Sequence, residues 1–124
     1  MKRLVTFFEI PAIDFNRAKK FYETVFNVKM ESFDCENEKM AFFPEEEGQC
    51  PGAISWSSDI SFLPSKDGVL ISLSVDDMNS ALEVITKNGG EIIIPKKKIE
   101  ANGRGYFSIF IDCEGNRIGL YSDN

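Results

Sequence analysis

Histidine is missing from all 124 residues. A divalent transition-metal site would have to be built without imidazole, from thiolates or from several converging carboxylates. Thiolates are few. Cys35, Cys50 and Cys113 are an odd number with no close pair, and they read as reduced thiols of a cytoplasmic protein. None shows a helix N-terminus or an imidazole neighbour that would activate it. No long apolar run is present for a membrane span. The opening MKRLVTFFEIPAID has the two charges of a signal peptide but no adequate apolar region, and Glu9 breaks it. Positive charge is scarce as well: 14 Lys and Arg stand against 20 Asp and Glu, a net charge of −6. That balance argues against a nucleic-acid backbone or an anionic membrane as partner. There is no nucleotide-binding glycine loop, no serine-nucleophile motif and no zinc-ligand spacing.

What is there is a globular composition, 43% hydrophobic and 27% charged, with eleven phenylalanines. The length suits one ordinary domain with a real core. Two stretches share a frame, EIPAIDFNRAKKFYETVFNVKMESF and SLSVDDMNSALEVITKNGGEIIIPK. Asp14 and Asp77 stand 63 positions apart, and the same offset places Phe15 on Met78, Ala18 on Ala81, Ile10 on Leu73 and Phe8 on Ile71. This predicts one domain of two similar modules, residues 1–60 and 63–124, each read as βαβββ. Asp14 and Asp77 are placed to cap helix N-termini. Ala18, Phe21, Tyr22 and Val25 form one apolar stripe at helical spacing, as do Ala81, Leu82 and Ile85. Gly89-Gly90 ends the second helix. Strands are expected at about 3–10, 28–34, 38–43, 52–57, 69–75, 91–95, 105–112 and 116–121, with CEGNR as a hairpin turn.

Alternation assigns faces. Leu4, Thr6, Phe8 and Ile10 should face the helix, leaving Val5, Phe7 and Glu9 on the other side. Val69, Ile71, Leu73 and Val75 should pack on the second helix, leaving Leu70, Ser72 and Ser74 opposite. Ile118 and Leu120 point inward and Arg117, Gly119 and Tyr121 outward. A second face that is neither polar nor apolar suits a lined pocket or an interface.

The segments FEIPAIDFNRAKKFYETVF, LSVDDMNSALEVITKNGG and DCEGNRIGLYS resemble the vicinal oxygen chelate superfamily. That superfamily includes glyoxalase I, bleomycin-resistance proteins and extradiol dioxygenases, and the resemblance covers nearly the whole chain. It implies an α+β fold in which paired βαβββ modules form a curved eight-stranded mixed sheet that cups a ligand. Its enzymes typically hold a divalent metal on the concave face, through a His or Gln early in the first strand of each module and a Glu on the last. Carried over residue by residue, those positions fall on Phe7, on its counterpart Leu70, on Gly119, and on an unfixed position within 52–56, where Ser55 would be a poor ligand. The expectation is no metal and no cofactor.

Glu9 shares the cup by parity. It reads either as a partly desolvated carboxylate that orients a ligand or acts as a base, or as a structurally paired acid. Phe7, Phe42, Trp56, Tyr106, Phe110 and Tyr121 are candidates for an apolar lining, against the alternative of ordinary core. Leu70, Ser72 and the small Gly119 complete the expected pocket, Gly119 leaving room for a ligand. The basic stretch PKKKIEANGRG, 95–105, reads as a solvated segment. DCEGN lacks the glycine position and terminal Glu of a calcium loop, so it reads as a turn. Three functions stay open: a metal-free protein binding a small, partly aromatic molecule; a glyoxalase-like lyase or isomerase with Glu9 as base; and a structural or regulatory dimer with a blocked cup. A homodimer is expected because free sheet edges call for cover.

Overall fold

The computed structural model describes residues 4–58, 62–101 and 105–124. The chain forms β1 (Phe8–Pro11), α1 (Phe15–Phe26), β2 (Glu31–Asp34), β3 (Glu38–Phe42) and β4 (Gly52–Ser57). It repeats the order with β5 (Ile71–Ser74), α2 (Met78–Lys87), β6 (Glu91–Lys98), β7 (Tyr106–Ile111) and β8 (Arg117–Ser122). The eight strands form two four-stranded mixed sheets, β1-β4-β3-β2 and β5-β8-β7-β6. In both, the first strand runs parallel to the fourth and the rest are antiparallel. β1 and β5 are the facing edges, and residues of both line crevices between them.

Both helices start where the sequence places them. Asp14 accepts the N–H of Arg17 at 3.1 Å and Asp77 that of Ser80 at 3.2 Å, each satisfying a donor the first turn leaves open. The Ser80 hydroxyl also donates to Asp77, at 3.0 Å, and the N–H bond first and then the hydroxyl bond hold the Asp77 carboxyl below the usual carboxylate range. α1 ends at Asn27, which takes a left-handed conformation, and α2 is followed by Gly89 at φ +96°. One apolar core joins the halves: Phe21, Tyr22 and Ile54 from the first meet Ile85, Phe110 and Leu120 from the second. Burial of each such side chain is worth about 1.5–3 kcal/mol.

Four local expectations need correcting. β1 starts at Phe8, not near residue 3, and Leu4 is 85% exposed rather than packed on a helix. The first bond of β1 is Phe8 N–H to Pro51 O, and β4, its partner, begins only at Gly52. Likewise β5 starts at Ile71, opposite Ile118, so Val69 lies outside the ladder and is 91% exposed. β6 runs three residues beyond Pro95. It is an edge strand with register shifts on either side of Ile94, which is where a proline can be tolerated. Finally, Trp56, Tyr106 and Phe110 lie on the helix side. Trp56 follows Ile54 by two and lies near the start of α1, and Tyr106 and Phe110 share their face with buried Ser108. The period of two in a strand fixes this once Ile54 and Ser108 point inward. Arg104 of the basic stretch lies outside the described residues.

Candidate functional site

The face away from the helices is built from paired rows. In the first sheet Glu9 pairs with Ala53, Ala53 with Phe42 and Phe42 with Glu31. In the second, Ser72 pairs with Gly119, Gly119 with Ile109 and Ile109 with Ile94. These rows are equivalent, and they fix the register that the sequence left open: the counterpart of Gly119 is Ala53, not Ser55.

Glu9 is exposed rather than buried, and its carboxylate accepts the Ser55 hydroxyl at 2.8 Å. Ser55 is buried and sits one pleat along the same face. Phe7 lies just before β1, partly exposed, with its ring 6.4 Å from that of Phe42. Leu70 lies in the matching place before β5 and is exposed. The room expected above Gly119 is filled: a Cβ there would overlap the Ser72 hydroxyl. Tyr121 donates its hydroxyl to Asp123 at 3.0 Å. The structure therefore brings Phe7, Glu9, Ser72, Gly119 and Tyr121 to one side, with Leu70 at its edge. It leaves Trp56 and Tyr106 on the other side, beneath Lys39 and Lys96 respectively.

Beside Glu9 the seam opens into a crevice of about 250 Å³. Glu9 and Arg117 both line it, together with the apolar side chains of Leu63, Val69 and Ile71. A carboxylate and a guanidinium over an apolar floor can orient a small molecule that is polar at one end.

Sequence reasoning missed what holds this seam in place. The Glu114 side chain, fully buried, accepts the N–H groups of Ile13 and Asp14 at 2.8 Å each and Arg17 Nε at 2.6 Å. The Arg17 guanidinium is raised above its ordinary pKa by that contact. Tyr22 donates to buried Asp112 at 2.6 Å, and Asn116 Nδ2 donates to Pro11 O at 2.8 Å. Burial first, then Asp112, holds the Tyr22 phenol well above its usual pKa. The β7–β8 turn is thus a latch on the start of α1. Its signal was the acidic composition of DCEGN, but only the fold says what the acids meet. Cys113 in that turn is pushed up to about 12 by burial, then by Asp112 and Glu114, which leaves it a poor nucleophile.

Residues 4–120 match the profile of the Glyoxalase/Bleomycin resistance protein/Dioxygenase superfamily. The chain belongs to that superfamily. A glyoxylase-like domain-containing protein of Didymella fabae is 31% identical over 121 residues, covering 87% of this chain and 84% of its own. Among solved structures, a glyoxylase/bleomycin resistance protein/dioxygenase domain from Frankia sp. superposes with a TM-score of 0.73 at 13% identity, covering 98% of each chain. Glyoxalase I from Zea mays gives 0.71 at 14% identity over 95% of this chain, which spans 45% of that enzyme. A genomically encoded fosfomycin resistance protein from Listeria monocytogenes gives 0.68 at 16% identity, covering 98% and 91%. At these identities the structural likeness speaks for the fold.

The superfamily's metal does not fit the residues present. The four positions to which its ligands map are Phe7, Ala53, Leu70 and Gly119, and none offers a side-chain donor. Among the described residues no group of three His, Cys, Asp or Glu side chains is placed to hold an ion. Glu9 with Ser55 supplies one carboxylate and one hydroxyl, short of the four donors of a tetrahedral site. No helix among the described residues is long and apolar enough to cross a membrane.

Proposed function

We propose that the protein binds a small, partly aromatic molecule at the seam crevice beside Glu9, without a metal, as a cytoplasmic homodimer. The observation that carries this reading is the replacement of all four inherited ligand positions by Phe7, Ala53, Leu70 and Gly119, next to an intact polar pair, Glu9 and Ser55. The ring or chain of the ligand packs on Leu63, Val69 and Ile71, and its polar end meets Glu9 and Arg117. Three free thiols support the compartment. Exposed Phe33 on edge strand β2 and Ile93 on edge strand β6 support the dimer, which light scattering near 14.0 kDa at micromolar concentration would refute.

The test joins elemental analysis to a thermal-shift screen of protein purified without added metal. The expected result is no stoichiometric zinc, nickel or iron, and a subset of aromatic compounds that raises Tm. A ligand at a hundred times its Kd adds about 2.7 kcal/mol. The Glu9→Gln variant should weaken those ligands and leave stability unchanged. One equivalent of metal, lost in Glu9→Gln, would overturn the reading. A second reading, a glyoxalase-like lyase or isomerase with Glu9 as base, is favoured by one observation: the carboxylate is exposed on the face away from the helices and oriented by the Ser55 hydroxyl. Turnover by metal-free protein that disappears in Glu9→Gln would promote it.

A further inference from the structure

At the other end of the seam lies a separate crevice of about 390 Å³. Its floor is apolar and largely aromatic: Phe8, Phe26, Val28, Phe43 and Leu73. Phe8 and Phe43 hold a fixed ring pair with centroids 5.6 Å apart. Ser72 and Ser74 line it from the β5 side, and the acidic pair Glu45 and Glu46 from the loop side. Among the described residues that line it there is no lysine or arginine. The loop is not free chain. Glu46 and Gln49 exchange backbone bonds at 2.7 and 3.0 Å, and the turn between them is set by Glu47 and Gly48, both at positive φ. Glu46 is thereby held at the base of a two-residue turn.

We propose that this crevice is a binding site for a small amphipathic monocation, an arylalkyl amine with one ring and one ammonium group. The volume falls within the range of pockets that enclose small ligands. The ring would lie on Phe26, Phe43 and Leu73. The ammonium would face Glu45 and Glu46. Charge complementarity disfavours the matching carboxylate: the two glutamates repel it, and an apolar floor gives an anion nothing in return. The site shares no lining residue with the crevice beside Glu9.

Three probes of one shape test it by calorimetric titration of the intact protein: phenethylamine, neutral 2-phenylethanol and anionic 3-phenylpropionate. The amine should bind about tenfold more tightly than the alcohol, a few-fold for each exposed carboxylate, and the acid should not bind. The Glu45→Gln/Glu46→Gln double variant should bring the amine to the affinity of the alcohol. The control Glu36→Gln/Glu38→Gln removes the same charge from the β2–β3 hairpin and should change nothing. Amide shifts on titration should move at 26–28, 43–46 and 72–74. Equal binding of all three probes, no binding of the amine, an unchanged amine affinity in the double variant, or shifts centred on Glu9 and Arg117 would each overturn the proposal.

Discussion

α1 buries five residues, Phe15, Ala18, Phe21, Tyr22 and Val25, whereas α2 buries three, Met78, Ala81 and Ile85. The two halves share a strand order, a parallel pairing and an aspartate cap, yet they are not used alike. α1 packs on its own β4 and also reaches the other half, where Phe21 meets Phe110 and Tyr22 meets Asp112. α2 packs on β6 and β8 of its own sheet and on α1. The rows on the face away from the helices diverge further: Glu9–Ala53–Phe42 in the first half against Ser72–Gly119–Ile109 in the second. Duplication of a frame therefore constrains the side that is packed. The other side is free to change its chemistry as long as the ladder survives.

The strongest test of shared framing is a matched core pair. Ile54 and Leu120 occupy equivalent ladder positions, one paired with Ile10 and the other with Leu73, and both are buried. Ile54→Ala and Leu120→Ala should each cost about 2–5 kcal/mol, read by urea unfolding. With one core spanning the halves, each variant should still unfold in a single transition. A second transition in either would break the idea of a joint core.

The latch comes next. Tyr22→Phe removes one donor from buried Asp112 and should cost about 1–3 kcal/mol. It also has a pH signature. Because the folded phenol has a raised pKa, its contribution is complete below its ordinary value of 10.0 and is lost as pH rises beyond it. Wild-type stability should therefore fall faster than that of Tyr22→Phe on the alkaline side.

The caps sharpen the comparison at lower cost. Asp14→Ala should destabilise by about 1 kcal/mol, and Asp77→Ala should lower Tm in the same direction. The Asp77 carboxyl is held below 3.8, so its stabilisation is present above that value and disappears as pH falls through the lower folded-state pKa. Tm measured from pH 5 downward should show this acid limb weakened in Asp77→Ala. The smallest effect is chemical: at pH 8 exposed Cys35 should take a thiol label well before Cys113, whose pKa lies near 12.

Much of the frame was legible in the sequence. The caps at Asp14 and Asp77, the helical stripes and the 63-residue offset are local or periodic signals, and each appears where the pattern puts it. Strand starts were read too early at Leu4 and Val69, because apolar alternation continues past the point where a partner strand exists. Trp56 and Tyr106 went to the wrong face because parity can be counted only after one residue of a strand is known to be buried.

The amino-acid order by itself determined the two βαβββ halves, because caps, helical stripes and the repeat offset depend on residue type and spacing along the chain. The assignment of Ala53 to the fourth position, the Ser72 hydroxyl filling the space above Gly119 and the Glu114 latch were decided only by the tertiary structure. Each depends on ladder register or on atoms about a hundred residues apart meeting within 3 Å, and no local pattern encodes either.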